Sequence, residues 1–321
     1  MTKLFDLHEV NLDERMILFG PSDANLRAVE KVFGISLNEK EEWIVTDDPT
    51  DEKAVLRVFT MALDKIRKGE SLTSFDMFKI AEEGKECKAD EDPAELYKTA
   101  FGRSYDHKPI YPKTRGQKEL LETFEKKDMT FAIGPAGTGK TYLSVVYAVN
   151  CLRLNKSKKI IITRPVVEAG ENLGFLPGDL EEKIDPYLRP IFDALDQLIS
   201  PVQRQHLMEK GIIEIAPLAY MRGRTLDDAI VILDEAQNTT VMQMKMFLTR
   251  MGFHSKMIIN GDTTQIDLPY GKKSGLIDAL ERLSGVEEIG SVALTSRDVV
   301  RHPLVRKILV CYDSGQNGKT E

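Results

Sequence analysis

The residues best suited to chemistry lie in a glycine-rich loop, GPAGTGKT, at positions 134–141. The loop fits the pattern G-x-x-x-x-G-K-[ST] and lies between an apolar segment at 129–133 and a helix-patterned run at 142–154. Its glycines let backbone N–H groups point at phosphate oxygens, and the start of the following helix adds partial positive charge. The pattern predicts a binding site for the phosphates of a nucleoside triphosphate, formed by the whole loop: Gly134, Pro135, Ala136, Gly137, Thr138, Gly139, Lys140 and Thr141.

Two side chains of this loop and two acids further along predict hydrolysis of the nucleotide. Lys140 would reach the β- and γ-phosphate oxygens, and the Thr141 hydroxyl would ligate Mg²⁺. Asp234 and Glu235 follow the apolar segment 229–233, which has the composition of a buried strand. Asp234 would hold Mg²⁺, directly or through water, and Glu235 would orient or deprotonate the water that attacks the γ-phosphate. We therefore predict an ATPase with ATP and Mg²⁺ as its ligands.

Two glutamines are further candidates for the nucleotide site. Gln265 lies in GDTTQ, after the predicted strand 256–260, and would act in catalysis by sensing the γ-phosphate. The alternative for this segment is a Gly-Asp turn with a polar surface. Gln117 lies in TRGQ, upstream of the loop, and its amide would pair with the donor and acceptor edges of adenine. The alternative for Gln117 is an ordinary helix start.

Composition limits the class of protein. The chain has 321 residues, of which 42% are apolar and 30% charged, and this is typical of a globular protein with a main domain and a smaller one. Because it has neither a run of about 18 apolar residues nor the pattern of a signal peptide, we expect no membrane association and a cytoplasmic location. The three cysteines form no C-x-x-C pair and favour neither disulfides nor zinc. The net charge of −7 disfavours indiscriminate coating of nucleic acid but allows a local basic channel.

Residues 1–80 are predicted to form a small α+β domain. The predicted elements are, in order, strand 15–20, helix 22–32, strands 35–39 and 43–46, and helix 51–68. This order resembles a KH-type RNA-binding fold, but no G-x-x-G clamp followed by a second helix is present, so RNA binding and plain docking both stay open. Residues 81–104 are predicted as a linker because they contain the charged stretch EEGKECKADEDP, for which the hydrophilic end of a helix is the alternative.

Residues 105–313 are predicted to form an α/β domain, followed by a disordered tail at 314–321. Short apolar segments alternate with helical ones, and the predicted strands are 130–133, 159–163, 212–216, 229–233, 256–260 and 292–294. Such an alternation predicts a mostly parallel sheet with helices on both faces. Ligands of these sheets bind beyond the carboxyl ends of the strands, which is where the loop 134–141 and the acids fall.

Five segments together resemble the PhoH-like ATPase family: GPAGTGKT, TRPVVEAGENLGFLPGDLEEKIDPYLRP, YMRGRTLDDAIVILDEAQN, GDTTQIDLP and SRDVVRHPLV. The resemblance spans the chain and has no departure at the nucleotide-contacting positions. It implies a P-loop NTPase domain similar to the first RecA-like domain of superfamily 1 helicases, in which TRP corresponds to a strand-binding motif and GDTTQ to a motif that couples nucleotide to nucleic acid. It also implies a cytoplasmic ATPase of RNA metabolism, with associations to RNA unwinding, endoribonuclease partners and ribosome maturation.

A single RecA-like domain predicts an oligomer. A two-domain helicase closes its second RecA-like domain, which carries an arginine finger, onto the nucleotide, and such a finger is worth about 10³–10⁵ in rate. Arg301, or Arg297, follows the last predicted strand and would supply this group to a neighbouring subunit in a head-to-tail homo-oligomer, for example a hexameric ring. The alternative is a solvated surface arginine.

Contacts to RNA are assigned to Arg164, after its strand, and to Arg222 and Arg224, ahead of the acidic strand. Each could equally be a solvated charge or part of an intersubunit salt bridge. The glycine-rich stretch 170–178 has no strand pattern and favours a mobile loop.

The leading hypothesis is an ATP-hydrolysing remodeller of single-stranded or structured RNA. One alternative is an ATP-dependent switch or adaptor for an endoribonuclease or a ribosomal partner, without unwinding. Another is a small-molecule kinase, although neither an arginine-rich lid nor an acceptor pocket is evident in the sequence.

Overall fold

The computed structural model describes residues 2–86, 100–165, 180–269, 271–300 and 305, with the backbone alone at 86 and 180–187. The chain has two compact units, one within Met1–Thr99 and the other comprising Ala100–Val300. The predicted tail at 314–321 and the predicted mobile loop at 170–178 lie outside the described residues. No helix in the described ranges is long and apolar enough to cross a membrane.

The first unit contains a three-stranded antiparallel sheet and four helices in its described residues. The strands are β1 (Thr2–Asp6), β2 (Asn38–Lys40) and β3 (Trp43–Thr46), and the sheet order is β1-β3-β2. The helices are α1 (Leu12–Phe19), α2 (Ala24–Phe33), α3 (Glu52–Arg67) and α4 (Ser74–Glu86). Its likeness to a KH domain stays a prediction.

The predicted strand at 15–20 is wrong, because α1 occupies these residues. Asn11 and Glu14 form a reciprocal cap at the start of this helix. The Glu14 amide donates to Asn11 Oδ1 at 2.9 Å, and the Asn11 amide donates to Glu14 Oε2 at 3.1 Å. The spacing of a short polar residue and a glutamate three positions later is the signal that the strand prediction overlooked. The first strand of the sheet is instead β1, which precedes that cap.

At the start of the predicted linker at 81–104 the alternative holds, because α4 continues to Glu86. The side chains of Met77, Ile80 and Ala81 are buried. A charged stretch that follows apolar residues at helical spacing is therefore the hydrophilic end of a packed helix in this chain.

The second unit contains a six-stranded sheet in which every neighbouring pair is parallel. After a short hairpin of β4 (Gly102–Arg103) and β5 (Pro109–Ile110), its strands are β6 (Met129–Ile133), β7 (Lys159–Arg164), β8 (Ile213–Pro217), β9 (Ala229–Leu233), β10 (Lys256–Gly261) and β11 (Ile289–Ala293). The sheet order is β11-β6-β10-β9-β7-β8. All six predicted strands are confirmed, although β11 begins earlier than predicted.

Helices cover both faces of this sheet, as predicted. They are α5 (Arg115–Lys126), α6 (Lys140–Arg153), α7 (Leu180–Asp196), α8 (Pro201–Glu209), α9 (Val241–Leu248) and α10 (Gly275–Leu283). Alternate side chains of β9 show the two layers. Ile230 and Ile232 pack in the core beneath α5, α6 and α7, whereas Val231 and Leu233 pack in the core beneath α9 and α10. The period of two in a strand thus divides one apolar run between two cores.

The central position of β9 predicts a large effect of a cavity at Ile232, which is fully buried. We expect Ile232→Ala to lower the free energy of unfolding by about 2–5 kcal/mol, since the surrounding layer cannot collapse into the space. Denaturant unfolding measures this change. The control is Val286→Ala, at a side chain that is 41% exposed, for which we expect a change within about 0.5 kcal/mol. Equal effects of the two changes would contradict the layered core.

Candidate functional site

The glycine-rich loop joins β6 to α6 at the carboxyl edge of the sheet. All three glycines of the loop have positive φ: 149° at Gly134, 87° at Gly137 and 86° at Gly139. At Gly134 a Cβ atom would lie 2.5 Å from the carbonyl oxygen of Leu294, which follows the neighbouring strand β11. Only glycine combines this φ with so close a backbone approach, so the loop depends on it.

Lys140 is the first residue of α6, and its ammonium group turns back over the loop. Nζ donates hydrogen bonds to the carbonyl oxygens of Gly134 at 2.6 Å and Pro135 at 3.0 Å. The positive charge therefore lies beside the N-terminus of α6, where backbone N–H groups and the helix dipole also favour an anion.

Thr141 and Asp234 meet across the sheet. The Thr141 hydroxyl donates to Asp234 Oδ1 at 2.7 Å. Burial raises the pKa of Asp234 above its ordinary value, while the nearby Arg164 guanidinium acts in the opposite direction. A hydroxyl and a carboxylate oxygen so close together are hard donors of the kind that Mg²⁺ takes from a protein when phosphate oxygens and water complete its octahedron. The donor set fits the predicted metal.

Further polar side chains, which were not predicted from the sequence, support Asp234. Strand β10 lies between β6 and β9, and its Asn260 is buried. Asn260 Nδ2 is 3.5 Å from Asp234 Oδ1, and Asn260 Oδ1 accepts a 3.0 Å hydrogen bond from the Ser144 hydroxyl on α6. In the sequence, an asparagine at the end of the apolar run MIIN is the signal that could have identified this polar group.

Glu235 is held by both of its carboxylate oxygens. Arg164 Nη2 donates to Oε1 at 2.6 Å, and Gln237 Nε2 donates to Oε2 at 2.6 Å. The backbone of Glu235 has a φ of 53°, in the left-handed region that a residue with a side chain rarely adopts. Arg164, which was predicted to contact RNA, is thus an ion-pair partner of the predicted catalytic acid.

Gln237 links the ends of β9 and β10. Its side chain is buried, and its Oε1 accepts from the Asp262 amide at 3.1 Å. Asp262 Oδ1 in turn accepts from the amide and hydroxyl of Thr264, and the Gln265 amide donates to the Asp262 carbonyl oxygen at 3.3 Å. These bonds form the turn that was the alternative for this segment, and the Gln265 side chain is exposed. Its role as a γ-phosphate sensor stays a prediction.

Gln117 braces the phosphate-binding loop. Its side chain is only 4% exposed, its Oε1 accepts from the Lys113 amide at 2.8 Å, and its Nε2 donates to the Thr138 carbonyl oxygen at 2.9 Å. The amide orientation is therefore fixed by the chain itself. Contact of Gln117 with adenine stays a prediction.

Asp298 is a buried acid whose role was not predicted from the sequence. Its Oδ1 accepts from the Thr114 hydroxyl at 2.6 Å, and its Oδ2 accepts from the Thr295 amide at 2.8 Å. The Thr114 hydroxyl also caps α5 by accepting from the Gln117 amide, and two residues after Asp298 the Val300 amide donates to the Gly137 carbonyl oxygen at 2.9 Å. The segment after β11 thus supports both the start of α5 and the loop.

The remaining predicted site residues fall elsewhere. Arg224 forms a bidentate ion pair within the chain, with Nη1 and Nη2 at 2.5 and 2.7 Å from the two oxygens of Glu214 on β8. Arg222 and Arg297 are exposed. Arg301 lies outside the described residues.

The geometry defines the class of this protein. A parallel sheet with helices on both faces, a P-loop between β6 and α6, and an acid at the end of β9 are the features of a P-loop NTPase. The sequence profile of the family described as PhoH-like protein matches residues 109–313, and the chain belongs to this family. The family predicted from the motifs is therefore confirmed.

Relatives cover most of the chain. A PhoH-like protein of Bacillus subtilis (strain 168) is 51% identical over 304 residues, which are 94% of this chain and 95% of the relative. A PhoH-like protein of Mycobacterium tuberculosis (strain ATCC 25618 / H37Rv) is 47% identical over 296 residues, 92% of this chain and 84% of the relative. Protein PhoH of Escherichia coli (strain K12) is 48% identical over 211 residues, 65% of this chain and 60% of the relative.

The buried bond between Asp298 and Thr114 predicts a loss of stability on Asp298→Ala. The change leaves the Thr114 hydroxyl and the Thr295 amide without their acceptor, and we expect the free energy of unfolding to fall by about 1–3 kcal/mol. Thr114→Val tests the same bond from its other end, and a double-mutant cycle measures the coupling. The matched control is the exposed Asp193→Ala, expected within about 0.5 kcal/mol. Additive effects at positions 114 and 298 would show that the bond contributes nothing.

The ion pair of Glu214 and Arg224 predicts a pH-dependent part of the stability. The hydrogen bonds from Arg224 hold the pKa of Glu214 below its ordinary value of 4.5. Because the folded-state pKa is lowered, the contribution is fully present above pH 4.5 and is lost as the pH falls through the folded-state value. We expect Arg224→Gln to destabilise by up to about 1 kcal/mol at neutral pH and by progressively less in acid. Denaturant unfolding across this range measures the difference, and an unchanged difference at low pH would argue against the pair.

Proposed function

We propose that this protein is a Mg²⁺-dependent ATPase whose turnover is coupled to the binding of RNA. The observation that carries the proposal is the convergence of Lys140, Thr141, Asp234 and Glu235 at the carboxyl edge of one parallel sheet. Phosphate-binding, metal-binding and water-activating groups are the components that phosphoryl transfer to water requires.

The proposed reaction is the hydrolysis of ATP to ADP and phosphate. A water oxygen forms a bond to the γ-phosphorus as the bond from that phosphorus to the β–γ bridging oxygen breaks, and ADP leaves with the electron pair. Glu235 accepts the proton of the water, and Lys140 stabilises the charge on the β- and γ-phosphate oxygens. Thr141 and Asp234 would hold Mg²⁺, which supplies positive charge beside the phosphates when bound.

Adenine is the base that the fixed amide of Gln117 favours. Each end of the amide has one bond within the chain, so Oε1 keeps an acceptor site and Nε2 keeps a second N–H. The Oε1 acceptor matches the N6 amino group of adenine and the Nε2 donor matches its N7 atom, whereas guanine presents acceptors at both O6 and N7. This supports ATP over GTP as the substrate.

The proposed RNA site belongs to the second unit. The described residues 2–86 contain twelve Lys and Arg against nineteen Asp and Glu, and this acidic excess opposes the binding of phosphates. Arg164 is the last residue of β7 and the middle residue of TRP, which corresponds to a motif that binds a nucleic-acid strand, and the exposed Arg222 precedes β9. RNA bound there would meet positive charge close to Glu235. An intact homo-oligomer in which Arg301 acts as the finger of a neighbouring subunit is a further part of the proposal, and it rests on sequence alone.

The test is steady-state ATP hydrolysis with and without single-stranded RNA. We expect RNA to stimulate turnover, Lys140→Ala to abolish ATP binding and turnover, and Glu235→Gln to lower kcat by about 10²–10⁴-fold while ATP still binds. Arg301→Ala should abolish turnover and spare ATP binding if the finger acts between subunits.

Three outcomes separate the hypotheses. Turnover that RNA raises and that both active-site variants lose supports the RNA-coupled ATPase. Turnover that RNA leaves unchanged favours a switch for an endoribonuclease or a ribosomal partner, which would then be expected to respond to that protein. If Glu235→Gln hydrolysed ATP as fast as the wild type, Glu235 would not be the general base.

A further inference from the structure

Arg164 lies between the two acids of the site. Its Nη2 donates to Glu235 Oε1 at 2.6 Å, and its Nε is 3.8 Å from Asp234 Oδ2. The position of Arg164 follows from the sheet register. Thr163 on β7 pairs with Leu233 on β9, so the residues that follow this pair, Arg164 and Asp234, lie side by side. The Asp234 amide donates to the Thr163 carbonyl oxygen at 2.9 Å and continues this pairing to the edge of the sheet. The ion pair is therefore built from two adjacent strand ends.

The ion pair with Arg164 restricts the Glu235 carboxylate, which is the group that must activate water. Glu235 accepts one short bond from Arg164 and another from Gln237, one at each carboxylate oxygen. Its side chain is 39% exposed, so water reaches it, but both oxygens are oriented by the chain. The lone pairs that face these two donors are not available to a water molecule, so Arg164 competes with the water that Glu235 must orient. The ion pair thus opposes the step that Glu235 performs.

The Arg164 guanidinium is also placed to bind a different anion. Its side chain is 18% exposed, at the end of a strand on the carboxyl edge of the sheet. A guanidinium carries five N–H donors in a planar fork that matches a phosphate as well as a carboxylate. One arginine can therefore exchange a carboxylate of its own chain for a phosphate of a ligand.

We propose that Arg164 restrains Glu235 and that a backbone phosphate of bound RNA releases it by competing for the same guanidinium. This inference rests on the proposed ATPase function and gives it a coupling device. Arg164 is a positioning residue in this scheme, because it acts on the reaction through Glu235. Gln237 keeps its bond to the other carboxylate oxygen and retains the orientation of Glu235 after the release.

The opposite role for Arg164 makes a different prediction. An arginine that stabilised charge in the transition state, or that oriented Glu235 productively, would be required for turnover at all times, and its loss would slow the reaction with or without RNA. A restraining arginine predicts the reverse in the absence of RNA. The sign of the change in basal kcat therefore distinguishes the two roles.

The experiment compares the wild-type protein with Arg164→Gln, Arg164→Lys and Arg204→Gln. Arg204 pairs with Asp196 near the start of α8 and serves as the matched control for loss of a paired arginine. For each protein, kcat is measured without RNA, which gives the basal value. It is then measured with oligouridine and with a peptide nucleic acid of the same bases, which has no backbone charge. Nucleotide affinity and thermal unfolding are measured for each variant, so that a damaged site is distinguished from a released one.

At saturating nucleotide and Mg²⁺, we expect Arg164→Gln to raise basal kcat by roughly ten- to a hundredfold, the value of a charge-assisted hydrogen bond. Oligouridine should then add little, whereas it should stimulate the wild type and Arg204→Gln. The uncharged peptide nucleic acid should stimulate neither the wild type nor Arg204→Gln. Arg164→Lys should keep part of the restraint, and adding Glu235→Gln to Arg164→Gln should abolish the gain, since the gain passes through Glu235.

The failures are distinguishable. A basal kcat of Arg164→Gln equal to or below that of the wild type overturns the inference, while stimulation of the wild type by oligouridine would still support the proposed function. A raised basal kcat in Arg164→Gln, together with a wild type that ignores oligouridine, supports the restraint and overturns RNA as its release. Absence of hydrolysis in both proteins under all conditions overturns the ATPase function and the inference together.

Discussion

The parallel pairing of β6, β10, β9 and β7 is the constraint on which the site depends. Because every strand runs in the same direction, the residues that follow these strands gather at one edge of the sheet, where their side chains can meet. The bond from Thr141 to Asp234 spans β10, which lies between the strands that carry the loop and the acid. Asn260 on that middle strand then connects both sides.

Charged side chains are tolerated at the carboxyl edge of the sheet because most of their polar atoms have hydrogen-bond partners. Asp234 is held by the Thr141 hydroxyl, and Glu235 shares its two oxygens between Arg164 and Gln237. An unpaired charge there would be costly, whereas a connected network orients its members. The left-handed backbone of Glu235 belongs to the same arrangement, since its neighbours hold a conformation that is otherwise unfavourable.

The phosphate-binding loop is supported from two directions. Gln117 on α5 bonds the Thr138 carbonyl oxygen, and the segment after β11 approaches Gly134 and bonds the carbonyl oxygen of Gly137. Asp298 joins these two supports through Thr114. A loop whose N–H groups must stay available to phosphate thus has its carbonyl oxygens used for anchoring, which separates its structural bonds from its ligand-binding ones.

Sequence patterns were enough to predict the class of fold, the six strands of the parallel sheet, the loop at 134–141 and the family, because these depend on local apolar runs and on a contiguous motif. They misplaced the first strand, since the apolar residues of α1 outweighed the cap at Asn11 and Glu14. The folded chain was needed to show that β10 lies between β6 and β9, that Arg164 pairs with Glu235, and that Asp298 contacts Thr114. Strand order and contacts between residues distant in sequence arise from the packing of whole elements, and local patterns do not encode them.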